Sequence, residues 1–221
     1  MMRDDLVLKG QHSQWESSYL KNKDMFGESP SEAAIRAAKI FHLHGIKKIL
    51  ELGAGQGRDT TYLAQQGFEV IALDYTKEGT ERIRQKSIAL NLSDRIQVVQ
   101  HDVRLELPFE NCSLDACYSH MLYCMAFPIR DLETLSRQIH RVLKPGGLNI
   151  FTVRHKGDPH YGQGIHRGED MYEVGGFIVH FFDRNKVDKV SVGYKILDIN
   201  EFEEGGLPRK LWMITMKKES N

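Results

Sequence analysis

The chain of 221 residues carries 30 Lys plus Arg against 30 Asp plus Glu, and 41% of it is hydrophobic. That content is ample for one buried core, and the length suggests a single domain. A formal net charge of zero offers no basic surplus for gripping a nucleic-acid backbone, and no run of about 18 apolar residues exists to cross a membrane.

Met1 to Gly10 is charged and lacks the apolar core of a signal peptide. Cys112, Cys117 and Cys124 are odd in number and have no CxxC spacing. This argues against a disulfide framework or a structural zinc site. A cytoplasmic protein is expected.

In chain order, residues 1–45 read as helical. Gln14 to Lys23 is a short helix, and Ser29-Pro30-Ser31-Glu32 starts a second one that Gly45 ends. Apolar runs then alternate with helical patterns, the signature of βαβ units around a mainly parallel sheet. Strands are expected at Lys48–Leu52, Phe68–Leu73, Ile96–Gln100, Leu114–Ser119 and Leu148–Val153. Helices are expected at Arg58–Gln66, Lys77–Leu90 and Arg130–Leu143. Lys144-Pro145-Gly146-Gly147 reads as a structural stop between helix and strand. Residues 155–176, rich in Gly, His and charge, read as an inserted loop. Asp183–Ser191 reads as a helix, and Tyr194–Phe202 with Lys210–Lys217 as a closing pair of strands. The chain thus divides into a helical cap (1–45), a core (46–154), the insertion (155–176) and closing elements (177–221).

The stretch Ile49-Leu50-Glu51-Leu52-Gly53-Ala54-Gly55-Gln56-Gly57-Arg58-Asp59 follows a strand and opens a helix. Glycines there let backbone approach a ligand closely, at the strand end where doubly wound sheets bind ligands. A dinucleotide site requires G-x-G-x-x-G, but Gly57 comes one residue early and Arg58 fills the expected place. Glu51, just before the first glycine, would repel a diphosphate and attract a cation. S-adenosylmethionine carries an ammonium and a sulfonium and no phosphate, so charge favours it over a nicotinamide cofactor. Asp74 ends the second strand, where an acid can accept from both ribose hydroxyls. Asp102 ends the third, where it can accept from an exocyclic adenine amine while Val103 offers a backbone N–H.

These motifs, in this order over about residues 47 to 154, make the chain resemble the class I (Rossmann-like) S-adenosylmethionine-dependent methyltransferase superfamily. Glu51-Leu52-Gly53-Ala54-Gly55-Gln56-Gly57 matches its first motif, Asp74 its ribose acid and His101-Asp102-Val103 its adenine motif. Leu114-Asp115-Ala116-Cys117-Tyr118-Ser119 resembles its fourth-strand motif, and Leu143-Lys144-Pro145-Gly146-Gly147 the turn before its fifth strand. The resemblance implies an α/β, doubly wound, mainly parallel seven-stranded sheet with one antiparallel strand, plus the N-terminal helices. It implies a donor site of Trp15, Tyr19, Glu51, Gly53, Ala54, Gly55, Asp59, Asp74, Tyr75, Asp102, Val103 and Ser119. Glu51 would reach the methionine amine, and Trp15 and Tyr19 would fold over the donor.

Methyl transfer is an in-line displacement, in which the protein positions the nucleophile and excludes water. His120, directly after the fourth-strand motif, is the candidate general base. Tyr123, Arg154, His155 and Tyr161 are candidate acceptor contacts. The segment Tyr118-Ser119-His120-Met121 lacks the Asn/Asp-Pro-Pro-Tyr signature of enzymes that methylate base amino groups. His155-x4-His160-x5-His166 is poor metal spacing. The expectation is therefore a small-molecule acceptor, with no nucleic acid, membrane or metal. Phe177–Phe182 and Glu201–Arg209 resemble, more loosely, small-molecule methyltransferases of the tellurite-resistance type. A non-catalytic donor-binding module and a nicotinamide-dependent oxidoreductase are the alternatives.

Overall fold

The computed structural model describes residues 2–205 and 209–219, and the side chains of residues 7, 8 and 10 onward among them. Its central sheet is built from β1 (Lys48–Leu52), β2 (Glu69–Asp74), β3 (Ile96–Gln100), β4 (Leu114–Ser119), β5 (Leu143–Arg154), β9 (Tyr194–Glu204) and β10 (Arg209–Lys218). The order is β3-β2-β1-β4-β5-β10-β9. Neighbours from β3 to β5 pair in parallel, and β10 runs antiparallel to both β5 and β9. This is the expected seven-stranded Rossmann-like sheet with one reversed strand. The order steps outward in two directions from β1 and β4, which opens a crevice at their carboxyl ends.

Alternation along the strands builds the two faces. Leu50, Leu52, Ile71, Leu73, Cys117, Phe151 and Val153 enter one apolar cluster. Ile49, Val70, Ala72, Ala116, Tyr118, Leu148 and Ile150 enter the other. The two-residue side-chain period of a strand puts those sets on opposite faces, as a doubly wound sheet requires. The first cluster takes Leu132, Leu135 and Ile139 from α5 (Ile129–Val142) and Val187 from α6 (Arg184–Val190). The second takes Ala33, Ala37 and Phe41 from α2 (Glu32–Leu43) and Leu63 from α3 (Arg58–Gln65). Ser31 caps α2, its hydroxyl accepting from Ala34 N.

Three elements differ from the reading of the sequence. Helix α1 spans Met2–Lys21 rather than starting near residue 14. Long-range bonds help to hold it: the Gln11 amide donates to Gly176 O and accepts from Ile178 N. Glu16 also accepts from Lys77 N and Glu78 N, the first amides of α4 (Lys77–Ala89). Strand β5 begins at Leu143 and reaches β4 through an irregular register across Lys144-Pro145-Gly146-Gly147. The 155–176 segment is a folded piece rather than a plain loop. Strands β6 (Ile165–His166), β7 (Met171–Val174) and β8 (Phe177–His180) form a second, antiparallel sheet. The turn between the last two is Gly175-Gly176, both at positive φ, a pair that suits a two-residue hairpin. No helix among the described residues is long and apolar enough to cross a membrane.

One buried acid fastens this second piece to the sheet. The Asp158 carboxylate accepts from Arg154 Nε and Nη2, from His160 N and from Lys210 N at the start of β10. Its side chain is 0% exposed and that of Arg154 7%. Removing one partner of such a pair strands the other charge, at a cost of about 3–5 kcal/mol. Asp158→Ala is therefore expected to lower unfolding stability by that order in a denaturant titration, and a loss below about 1 kcal/mol would contradict the fastening role.

Candidate functional site

The loop after β1 is fixed from beneath. Gly53 N and Ala54 N donate to Leu73 O, at 2.9 and 3.1 Å. Gly55 N donates to Asp74 Oδ2 at 2.8 Å, while Asp74 Oδ1 accepts from Thr76 N and Thr76 Oγ1. Thr76 thus spends its hydroxyl on Asp74 and leaves the start of α4 uncapped, and Glu16 of α1 supplies the missing acceptor. At Gly55, φ is +56° and a Cβ would lie 2.9 Å from the Tyr19 hydroxyl. At Gly79, a Cβ would lie 2.5 Å from Gly55 O. Both glycines are there because another group occupies the space of a side chain.

A cavity of about 340 Å³ opens above this loop. Its floor is Gly53, Ala54, Gly55 and the acids Glu51, Asp59, Asp74 and Asp102. Tyr75, His101 and Val103 continue the wall at the ends of β2 and β3, and Trp15, Tyr19 and Phe26 close over it. Trp15 packs against Tyr19, Phe26 and Phe177 with ring centroids 5.6, 6.3 and 4.7 Å away. Trp15 and Tyr19 thus lie side by side at the cavity, with Phe177 of β8 against Trp15.

The acids differ in state. Glu51 is 3% exposed and accepts from Thr60 Oγ1 at 2.6 Å. Burial, then the Asp59 charge, push its carboxyl from 4.5 up to about 8. Burial likewise raises Asp74 against the bonds from Thr76 and Gly55. Those three bonds leave Asp74 acceptor capacity for a ligand hydroxyl, since an ionised carboxylate offers about four lone-pair sites. Burial opposes ionisation of Asp102, yet the Arg104 guanidinium and backbone hold it below the ordinary carboxylate range. Several acids with one held protonated by desolvation make a floor that gains from a cation and would repel a diphosphate.

Five expected site residues serve otherwise. Asp59 reaches the cavity wall, but its carboxylate accepts from Ser31 N, Ser31 Oγ and the Tyr118 hydroxyl; it joins α2, α3 and β4. Ser119 and Tyr123 are both 0% exposed and outside the wall. Tyr123 stacks on Phe151 at 4.1 Å, because the turn after β4 directs it into the core. His155 stacks flat on Trp212 at 4.6 Å, away from the cavity. Tyr161 donates to Asp170 and packs against Tyr172 and Phe181 within the second sheet.

His120 and Arg154 do line the cavity. His120 Nδ1 lies 2.9 Å from Thr152 Oγ1, and Nε2 lies 3.0 Å from Glu204 Oε2. Thr152 Oγ1 already accepts from Met121 N, so its hydroxyl proton is free to point at Nδ1. Arg58 Nη2 approaches Glu204 from the other side at 3.5 Å. Burial opposes ionisation of Glu204, but His120 and Arg58 hold it below its usual range. Glu204 and Arg209, at the end of the β9–β10 hairpin, were not among the expected site residues. The apolar wall of Leu122, Met125, Phe127, Ile178 and Val179 was missed as well. Among the described residues no group of three or more His, Cys, Asp or Glu is placed to hold a metal.

Residues 49–147 match a family model described as a methyltransferase domain. A sarcosine/dimethylglycine N-methyltransferase from Aphanothece halophytica is 37% identical over 106 residues, 48% of this chain and 37% of that protein. Among solved structures, a Burkholderia thailandensis 1,6-didemethyltoxoflavin-N1-methyltransferase holds 1,6-didemethyltoxoflavin and S-adenosylhomocysteine. It superposes with a TM-score of 0.73 at 22% identity, over 95% of this chain and 88% of that one. TehB from Haemophilus influenzae superposes with a TM-score of 0.68 at 18% identity, over 93% of this chain and 67% of that one. These superpositions show a shared Rossmann-like α/β fold. The match to the methyltransferase-domain model covers a little under half of the chain, and the chain spans less than half the length of the curated relative cited above.

Glu51 gives the site a pH signature. With its folded carboxyl near 8 against an ordinary 4.5, the empty protein takes up a proton on folding. The resulting stabilisation is full below about pH 4.5 and fades as pH rises toward 8. A bound cation reverses the preference. S-adenosylmethionine affinity is expected to rise between about pH 6 and pH 8 with release of up to one proton, and Glu51→Gln to flatten that rise. Calorimetry in buffers of different ionisation enthalpy reads both quantities, and a pH-independent wild-type affinity would remove Glu51 from the donor site.

Proposed function

We propose that the protein transfers a methyl group from S-adenosylmethionine to a small-molecule acceptor. The observation that carries this is the acid-lined glycine loop, roofed by Trp15 and Tyr19 and bordered by a separate apolar wall. When bound, the donor supplies a methyl carbon activated by its sulfonium. Glu51 would face the methionine ammonium, and Asp74 would accept from ribose hydroxyls. Asp102 would accept from the adenine amine, with the Val103 backbone beside it. The roof and the second sheet wall the cavity, and a volume of about 340 Å³ suits a small acceptor better than a nucleic-acid strand. The free thiols agree with a cytoplasmic setting.

His120 and Glu204 form the proton-accepting pair in this reading. Glu204 Oε2 is buried and lies at ion-pair distance from His120 Nε2 without the alignment of a full hydrogen bond. It therefore keeps acceptor capacity for a proton leaving the nucleophile. His120, fixed by Thr152, holds that carboxylate in position with its Nε2 side, and the arriving proton neutralises the Glu204 carboxylate.

Two variants separate the roles. Asp74→Ala is expected to weaken donor binding at least tenfold and to loosen the loop that Gly55 N anchors; unchanged affinity removes Asp74 from the site. His120→Ala is expected to slow S-adenosylhomocysteine formation by about 10²-fold or more with donor affinity retained. An unchanged rate would return His120 to a purely structural role.

A further inference from the structure

The end of the β9–β10 hairpin carries a second kind of information. Arg209 and Glu204 are directly paired across the two strands, so their side chains leave the sheet on the same face, with Cβ atoms about 5 Å apart. Both residues line the cavity. Neighbours of opposite charge at that spacing ordinarily pair, yet these do not. Glu204 turns instead to His120 and Arg58, and Arg209 has no side-chain partner among the described residues. The other arginines of the wall are committed. Arg154 is held by Asp158, and Arg58 is shared between Asp59 and Glu204. Among the described residues Arg209 is thus the uncommitted arginine of the cavity, beside the group that receives a proton.

Resting on the methyltransferase reading, we infer that the acceptor is an amino- or hydroxy-carboxylate with an apolar body. Its carboxylate would accept from the Arg209 guanidinium, a fork that suits a planar two-oxygen anion. Its N–H or O–H nucleophile would lie toward Glu204, a few bonds away, matching the cross-strand spacing. Met125, Phe127 and Ile178 would cover the apolar part. In the transfer, the nucleophile's lone pair forms the bond to the methyl carbon as the carbon–sulfur bond breaks toward sulfur. The nucleophile's proton passes to the Glu204–His120 pair. A neutral amine or a simple phenol would leave Arg209 buried against it without an anion, which costs binding.

The test uses the full-length protein with S-adenosylhomocysteine. Binding of that product is measured first by calorimetry, and its failure marks failure of the methyltransferase reading itself. The loaded protein is then titrated with sarcosine, phenylalanine, anthranilate and salicylate, each beside its primary amide. The expected result is that at least one acid binds tenfold or more tighter than its amide. Arg209→Gln should erase that preference, Arg209→Lys should keep part of it, and affinity for S-adenosylhomocysteine should stay unchanged in both. The inference is overturned if the amides bind as well as the acids, if no acid of the set binds the loaded protein, or if Arg209→Gln keeps the preference.

Discussion

The arrangement depends on one carboxylate. Asp74, at the end of β2, takes the Gly55 amide with one oxygen and Thr76 with the other. It thereby locks the glycine loop of β1 against the start of α4, with Gly79 so close to Gly55 O that only a hydrogen fits. Because Thr76 is used in this way, α4 needs an outside cap, and Glu16 provides it. That demand places α1 across the mouth of the cavity and brings Trp15 and Tyr19 over the loop. The floor, the roof and their spacing follow from a single acid and its partners.

The cavity has two electrostatic ends. The floor concentrates acids, one of them held protonated by desolvation until a positive ligand arrives. The opposite end mixes a histidine–carboxylate pair with arginines and an apolar wall. The first end suits a cationic donor, and the second suits an acceptor that surrenders a proton. Separation of the two is what an in-line displacement requires, since nucleophile and leaving sulfur lie on opposite sides of the transferred carbon. The second sheet contributes Phe177, Ile178 and Val179 to the cavity wall, and Asp158 keeps it attached to the main sheet.

Core and cavity floor were legible in the sequence because both obey short-range rules. Strand alternation and the loop from Glu51 to Gly57 lie within single segments, and each acid sits at a strand end that periodicity locates. The acceptor side was less legible, because position on a loop does not fix side-chain direction. Tyr123 and His155 follow strands as expected but turn to Phe151 and Trp212. Asp59 looks like a ligand beside the glycines, yet satisfies Ser31 and Tyr118 from distant segments. Glu204 and Arg209 enter the cavity only through hairpin register. A hairpin signal for the second sheet was present in Met171–Val174, Gly175-Gly176 and Phe177–His180, but the expected loop boundary at residue 176 cut through it. Within the stretch Glu201–Arg209, residues 206–208 lie outside the described residues.

The most direct test of the central claim is calorimetric titration of the folded protein with S-adenosylmethionine and, separately, with NAD. The account predicts saturable binding of the methyl donor at micromolar concentration and none of NAD, because Glu51 ionises only for a cation and the other acids of the floor oppose a diphosphate. Binding of NAD, or no binding of the donor by protein shown to be folded, would contradict it.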